Sequence, residues 1–251
     1  MKMNSEKQIF LYNDGIGSVS YIDHMGNDLT IVNSARVSFG INKAELDQRD
    51  KKLINYLVKN RHTSTFEHNV VTFKFVVPLY VRSQHHRHRT WSYNEVSRRY
   101  TDKNIKFYEP PAFRTQHKSN RQASNEDEKI NPSFRSGAFN YTLYPVGVYT
   151  ACDAIRDHHV NSLELFNKLV EKGVCREQAR GVLPQNMYTE YYGTCNLSNL
   201  LKFIDLRLDS HAQWEIQKVA EACLEIAEDL WPVAVRSYRD NKYGEQESPE
   251  G

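Results

Sequence analysis

Apolar positions recur at two spacings along this chain. In residues 44–61, Leu46, Leu53, Ile54 and Leu57 fall at helical spacing. In residues 69–77, "NVVTFKFVV", β-branched and aromatic residues crowd together as a strand requires. Pro78 follows and suits the first position of a helix. On a helix from Leu79, Gln84, Arg87 and His88 share one face by i, i+3 and i+4 spacing. Residues 17–38 hold two β-rich runs around Gly26-Asn27-Asp28 and read as a hairpin. Residues 116–132 contain one isoleucine and one alanine and read as a surface excursion.

The second half is mostly helical. Residues 160–173 run to a glycine stop at Gly173, and residues 175–183 form a short helix ended by Pro184. Residues 198–208 start at a candidate cap, Ser198. Residues 210–231 open with Ser210 and Gln213 at capping-box spacing. There Ile216, Val219, Cys223, Ile226 and Leu230 make one apolar stripe, read as core or subunit packing. No internal repeat, G-x-G-x-x-G or Walker A sequence occurs, so a bound nucleotide or flavin must be held without a Rossmann motif or P-loop.

Composition narrows the class. At 251 residues, 39% hydrophobic and 25% charged, the chain can bury a core as one large domain or two small ones. Its formal net charge of +2 argues against a nucleic-acid polymer as partner. Cys152, Cys175, Cys195 and Cys223 show no C-x-x-C spacing, which points to reduced thiols, packing roles and an intracellular, cytoplasmic protein. The opening residues lack a signal-peptide apolar region, and no apolar run reaches the length of a membrane span.

Against this balance, residues 85–100, "HHRHRTWSYNEVSRRY", are anomalous. From Arg82 to Arg99 there are five arginines and one acid, Glu95. A metal site fits poorly: His85, His86 and His88 would diverge on a helix, and the arginines would repel a cation. Trp91, Tyr93 and Tyr100 could stack on the bases of a nucleic acid, but the patch is short. A solvated basic face would be the default for lysines, whereas arginine forks favour bidentate anion contacts. Ser92, Asn94, Glu95 and Ser97 add short hydrogen-bonding groups. A small anionic ligand fits this chemistry best, with a nucleotide as the obvious candidate.

"RHRTWSYNEVSRRY", residues 87–100, resembles the R-H-R-x-x-S-x-N-E-x-S-x-R-Y signature of the flavin-dependent thymidylate synthases. Arg87, His88, Arg89, Ser92, Asn94, Glu95, Ser97, Arg99 and Tyr100 occupy all its fixed positions. "HTSTFEH" (62–68), "CREQARGVLP" (175–184) and "NLSNLLKFIDLRLDSHAQWEIQ" (196–217) are similar to further motifs of that family. The resemblance implies one α+β domain over residues 1–251, an antiparallel sheet with a mostly helical second half, assembled as a homotetramer with sites shared between subunits. It implies reductive methylation of dUMP to dTMP, with 5,10-methylenetetrahydrofolate as one-carbon donor, FAD as hydride donor and NADPH as reductant. By the same resemblance, Gln84, His85, His86, Arg87, Glu95, Val96, Ser97, Arg98, Arg99, Arg180 and Arg207 contact dUMP. Ser64, Arg87, His88, Arg89, Glu95, Asn196, Leu197, Ser198 and Lys202 contact FAD, and His62 lies near flavin and folate. Arg207 would favour the ionised N3 form of the uracil, a task suited to a permanently charged group that is a poor proton acceptor. Ser97 reads as a hydrogen-bonding residue rather than a nucleophile. The chain departs from the family pattern at Ser64, Thr65, Ser198 and Lys202, where threonine, proline, arginine and asparagine or histidine are the expected residues. Lys202 is expected to meet FAD or its phosphates.

Overall fold

The computed structural model of the protein describes residues 7–121, 123–135 and 147–243. Its centre is a five-stranded antiparallel sheet built from β1 (Gln8–Phe10), β2 (Ser18–Met25), β3 (Val70–Pro78), β4 (Ser92–Glu95) and a late strand, Tyr188–Asn196. With two short ladders, β5 (Phe113–Gln116) with β6 (Ser124–Ile130) and β7 (Ser133–Arg135) with β8 (Val148–Thr150), that late strand is β9, and the sheet order is β1-β2-β3-β9-β4. β3 and β9 pair along their whole lengths, from Val70↔Asn196 to Pro78↔Tyr188. The period of two decides what each face does. Val71, Phe73, Phe75 and Val77 of β3 and Tyr191 and Cys195 of β9 are buried, while Thr72, Lys74, Glu190 and Tyr192 face the other way.

The helices are α1 (Asp28–Arg36), α2 (Gln48–Lys59), α3 (Leu79–His85), α4 (Ala151–Glu171), α5 (Arg176–Ala179), α6 (Leu197–Arg207), α7 (Trp214–Leu230) and α8 (Pro232–Tyr243). α7 lies against β2 and touches α3, α6 and α8. All five residues of its predicted stripe are buried, Leu230 being the most exposed at 6%. The hairpin predicted for residues 17–38 is instead strand then helix. The Asn27 side chain accepts from Thr30 N and the Thr30 hydroxyl accepts from Asn27 N, closing a capping box that starts α1. β1 and β3 occupy both edges of β2, so no hairpin partner is needed. The β-branched Ile31 and Val32 reach zero exposure on the helix, where packing overrides their strand preference.

Three further differences bear on the site. β9, the inner strand between β3 and β4, falls in the half that reads as helical. Asn196, not Ser198, caps α6, accepting from Asn199 N at 2.9 Å. The Ser210–Gln213 capping box does not form: α7 starts at Trp214, and the Gln213 side chain makes no cap hydrogen bond. Residues 116–132 do lie on the surface, as the exposed β5–β6 ladder, with Gln122 outside the described residues. Among the described residues no helix is long and apolar enough to cross a membrane.

Candidate functional site

The basic stretch folds as a helix end, a turn and an edge strand. The loop expected after α3 is short, because Ser92–Glu95 pairs with β9 from Ser92↔Thr194 to Glu95↔Tyr191. The alternation explains it: Trp91 is buried and Tyr93 and Glu95 half-buried, while Ser92, Asn94 and Val96 are exposed. Gly193 makes room for this strand. A Cβ there would stand 2.8 Å from the Phe75 ring and 3.3 Å from Trp91. Tyr93 then ties strand to helix by donating its hydroxyl to the carbonyls of His85 (2.9 Å) and His88 (3.2 Å). These carbonyls, at and just past the C-terminus of α3, also accept from His88 N (2.9 Å) and Trp91 N (3.3 Å), so Tyr93 adds a second donor at each.

The three histidines of the stretch diverge. His85 has no exposed surface; its ring sits among Phe75, Trp91 and Phe203, with Nδ1 2.8 Å from the Tyr191 hydroxyl. Burial and neighbouring cationic groups hold it neutral, well below the usual imidazole range. The His85 side chain has no exposed surface, and its carbonyl accepts from the Tyr93 hydroxyl and from His88 N. His86 stacks on Tyr93 with ring centroids 4.1 Å apart. His88 turns to α6, where Arg207 Nε donates to its Nε2 at 3.1 Å and Arg207 Nη2 donates to the Gln84 carbonyl at 3.2 Å. Burial and the Arg207 charge lower the His88 pKa to about 4. Because Arg207 can only donate, His88 must be the Nδ1–H tautomer, accepting at Nε2.

Arg207 is thus held at two points, the Gln84 carbonyl in the last turn of α3 and the His88 ring in the turn beyond it, and its remaining N–H groups are available to a ligand. Half-burial lowers its pKa, yet a guanidinium stays charged at any working pH. Glu95 forms a second centre. Its Oε1 accepts from the Thr189 hydroxyl at 2.7 Å and lies 3.2 Å from Arg82 Nε, leaving Oε2 without a partner among the described residues. Val96 N donates to the Glu190 carbonyl. Ser97 Oγ accepts from Arg99 N, and Arg98 Nη1 donates to the Lys103 carbonyl at 2.7 Å. Arg87, Arg89, Arg99 and Arg180 are exposed and form no ion pair with an acid among the described residues. Arg82 and Thr189 were missed by sequence reasoning, although Arg82 belongs to the same arginine cluster.

The remaining candidates gather elsewhere. His62, Ser198 and Lys202 line one cleft of about 620 Å³ with Lys59, Arg61, Asp205, Tyr238 and Lys242. Asp205, its acid, is engaged by the Tyr238 hydroxyl and by Lys242. Among the described residues Lys202 forms no ion pair and the buried Ser198 hydroxyl has no hydrogen-bond partner. Ser64 is exposed on the turn before β3, and the Thr65 hydroxyl donates to the His62 carbonyl at 3.1 Å, an anchor that proline would lack. The Leu197 side chain is wholly buried and its N–H donates to the Asn69 carbonyl at 2.8 Å.

A family model described as "Thymidylate synthase complementing protein" matches residues 20–233. A flavin-dependent thymidylate synthase of Thermus thermophilus is 40% identical over 225 residues, spanning 90% of this chain and 76% of that protein. The enzyme of the same description from Thermotoga neapolitana is 39% identical over 217 residues, 86% of this chain and 88% of its own. Among solved structures, the UMP/dUMP methylase PolB of Streptomyces cacaoi, bound with 5-Br dUMP, superposes with a TM-score of 0.72 at 30% identity. It covers 92% of this chain and 97% of its own. With the R-H-R-to-R-Y signature intact over the turn after α3, β4 and the residues that follow it, the chain belongs to the flavin-dependent thymidylate synthase family.

Proposed function

We propose that this protein converts dUMP to dTMP with 5,10-methylenetetrahydrofolate, FAD and NADPH, in a single domain that assembles as a homotetramer. The observation that carries the reading is Arg207, a charged fork pinned by a neutral histidine and a backbone carbonyl with donors to spare. Held there, it stabilises negative charge on the uracil ring and favours the ionised N3 form, which raises electron density at the carbon to be methylated. His88 serves as its acceptor without competing for a proton. Glu95 offers Oε2 to ring or sugar donors, and Arg87, Arg98, Arg99 and Arg180 answer the phosphate.

The cleft around Lys202 fits FAD. Lys59, Arg61, Lys202 and Lys242 set cationic groups around it against Asp205, and the orphaned Ser198 hydroxyl supplies a hydrogen-bonding group. His62 lies on its rim, beside the position assigned to folate. Bound FAD supplies the hydride, and NADPH restores it. The reading includes no enzyme nucleophile. Burial raises the thiol pKa values of Cys195 and Cys223, Ser97 has no base in contact among the described residues, and Cys152 and Cys175 lie on α4 and before α5. Sharing of sites between subunits is supported by the exposed Arg87, Arg89, Arg99 and Arg180, which have no acidic partner among the described residues.

The test is tritium release from 5-labelled dUMP with FAD, NADPH and methylenetetrahydrofolate, leaving out each in turn. Release that depends on all three is expected. A purified protein that takes up no FAD, or releases no tritium in the full mixture, refutes the assignment. Mass measurement of the FAD-loaded protein at a single-chain value would refute the tetramer.

A further inference from the structure

We infer that Glu215, acting through Gln213, fixes which end of the Gln84 amide is presented to the nucleotide. This rests on the reading above, in which Gln84 contacts dUMP. Gln84 Nε2 donates to Gln213 Oε1, and Gln213 Nε2 donates to Glu215 Oε2 at 2.8 Å. Glu215 is only 4% exposed, and Arg114 Nη2 stands 2.9 Å from both of its oxygens. Arg114 itself is held by Ser124, to which its Nε donates at 2.9 Å, and by the Trp214 ring, whose centroid lies 5.3 Å from its guanidinium carbon.

The direction of this chain follows from chemistry alone. A carboxylate only accepts, so Gln213 must turn its NH₂ toward Glu215 and its carbonyl toward Gln84. Gln84 must then donate to that carbonyl, because the flipped amide would set two oxygens face to face. Gln84 Oε1 is left pointing away from Gln213 as an acceptor, suited to a sugar hydroxyl or ring N–H. The same residue's backbone carbonyl holds Arg207, so the oriented amide and the activating charge share one helix end. Glu215 and Gln213 are positioning residues. The β5–β6 ladder takes part, since it carries both Arg114 and Ser124.

Reversing the polarity of the chain tests this. In FAD-loaded protein, dUMP affinity is read from the change in flavin absorbance, alongside KM and kcat. Gln84→Glu removes the donor that Gln213 needs, and dUMP should bind roughly tenfold more weakly. Adding Glu215→Gln supplies a donor at the root, so Gln213 can flip and donate to the introduced carboxylate. The double variant should recover several-fold in affinity, and a merely structural Glu215 would make it worse than either single change. Gln213→Met, near-isosteric and leaving Arg114–Glu215 intact, should raise the KM for dUMP roughly tenfold with little change in kcat. Multiplicative effects in the double variant, or an unchanged KM in Gln213→Met, overturn the relay. If Gln84→Met itself leaves dUMP affinity at the wild-type level, the nucleotide contact has failed instead, and the relay loses its object.

Discussion

Replacing Arg207 with lysine separates charge from geometry. Arg207 donates from Nε to His88 at 3.1 Å and from Nη2 to the Gln84 carbonyl at 3.2 Å. Lysine keeps the charge but has no fork, so it can replace at most one of these bonds while facing the uracil. The fold loses about 1 kcal/mol, the net worth of one such bond. In a chain of this size that lowers Tm by roughly 2–4 °C. Activity should fall much further. Misplacing one preorganised donor against developing negative charge costs about 3–4 kcal/mol, or roughly 10²–10³ in kcat. The assay is tritium release at saturating dUMP, with thermal unfolding of the same FAD-loaded samples. A kcat within about fivefold of wild type would show that a mobile charge suffices and that pinning by His88 and Gln84 is irrelevant. A loss of Tm of tens of degrees would show that Arg207 is a folding residue.

Three other outcomes follow from the same geometry. Lys202→Ala should weaken FAD binding by roughly tenfold, one charge-assisted contact, with the Tm of the FAD-free protein unchanged; equal flavin titrations would remove Lys202 from the site. His88 titrates at about 4 when folded against an ordinary 6.5, so the unfolded chain takes up its proton first as pH falls. Its contribution is intact above pH 6.5 and is lost between there and pH 4, about 1–2 kcal/mol for a half-buried ring. His88→Gln, which still accepts from Arg207, should shallow that slope of Tm against pH without abolishing it, because the buried His85 titrates in the same direction. An unaltered slope would contradict the assignment. Gly26→Ala should cost at least about 2 kcal/mol, since φ is +86° and a Cβ would meet Asn69 Oδ1, which accepts from Trp231 Nε1. A change in urea midpoint equivalent to under half of that would refute the clash.

The signature from Arg87 to Tyr100, the strand at β3, the α2 repeat and the α7 stripe were all legible along the chain, because each is a local pattern. A run of alternating or helical amphipathicity dictates which residues can be covered. It does not dictate what covers them. The second run of residues 17–38 is rich in β-branched residues and became a helix, since Asn27 caps it and neighbouring strands had already filled both edges of β2. β9 runs through tyrosines that carry no strong alternation, and only pairing with β3 on one side and β4 on the other makes it a central strand.

The site divides the same way. The sequence by itself determined its chemistry, an arginine-rich, acid-poor stretch with a family signature. The helix face expected for Gln84, Arg87 and His88 stops short, because α3 ends at His85 and the last two lie in the turn beyond it. The packing of the chain decided which of the candidate residues are buried and which stay exposed. His85 and Leu197 sit among motif residues but were drawn into the core, because the sheet needed an aromatic and an aliphatic filler at those points. Arg207, 119 positions from His88, found its acceptor only when α6 packed beside α3. Gln213, Glu215 and Arg114 joined Gln84 by contacts spanning more than a hundred residues, for which no spacing rule exists. Local sequence sets the residue types offered to a site, and non-local burial sets which of them face the ligand and which way their hydrogen bonds run.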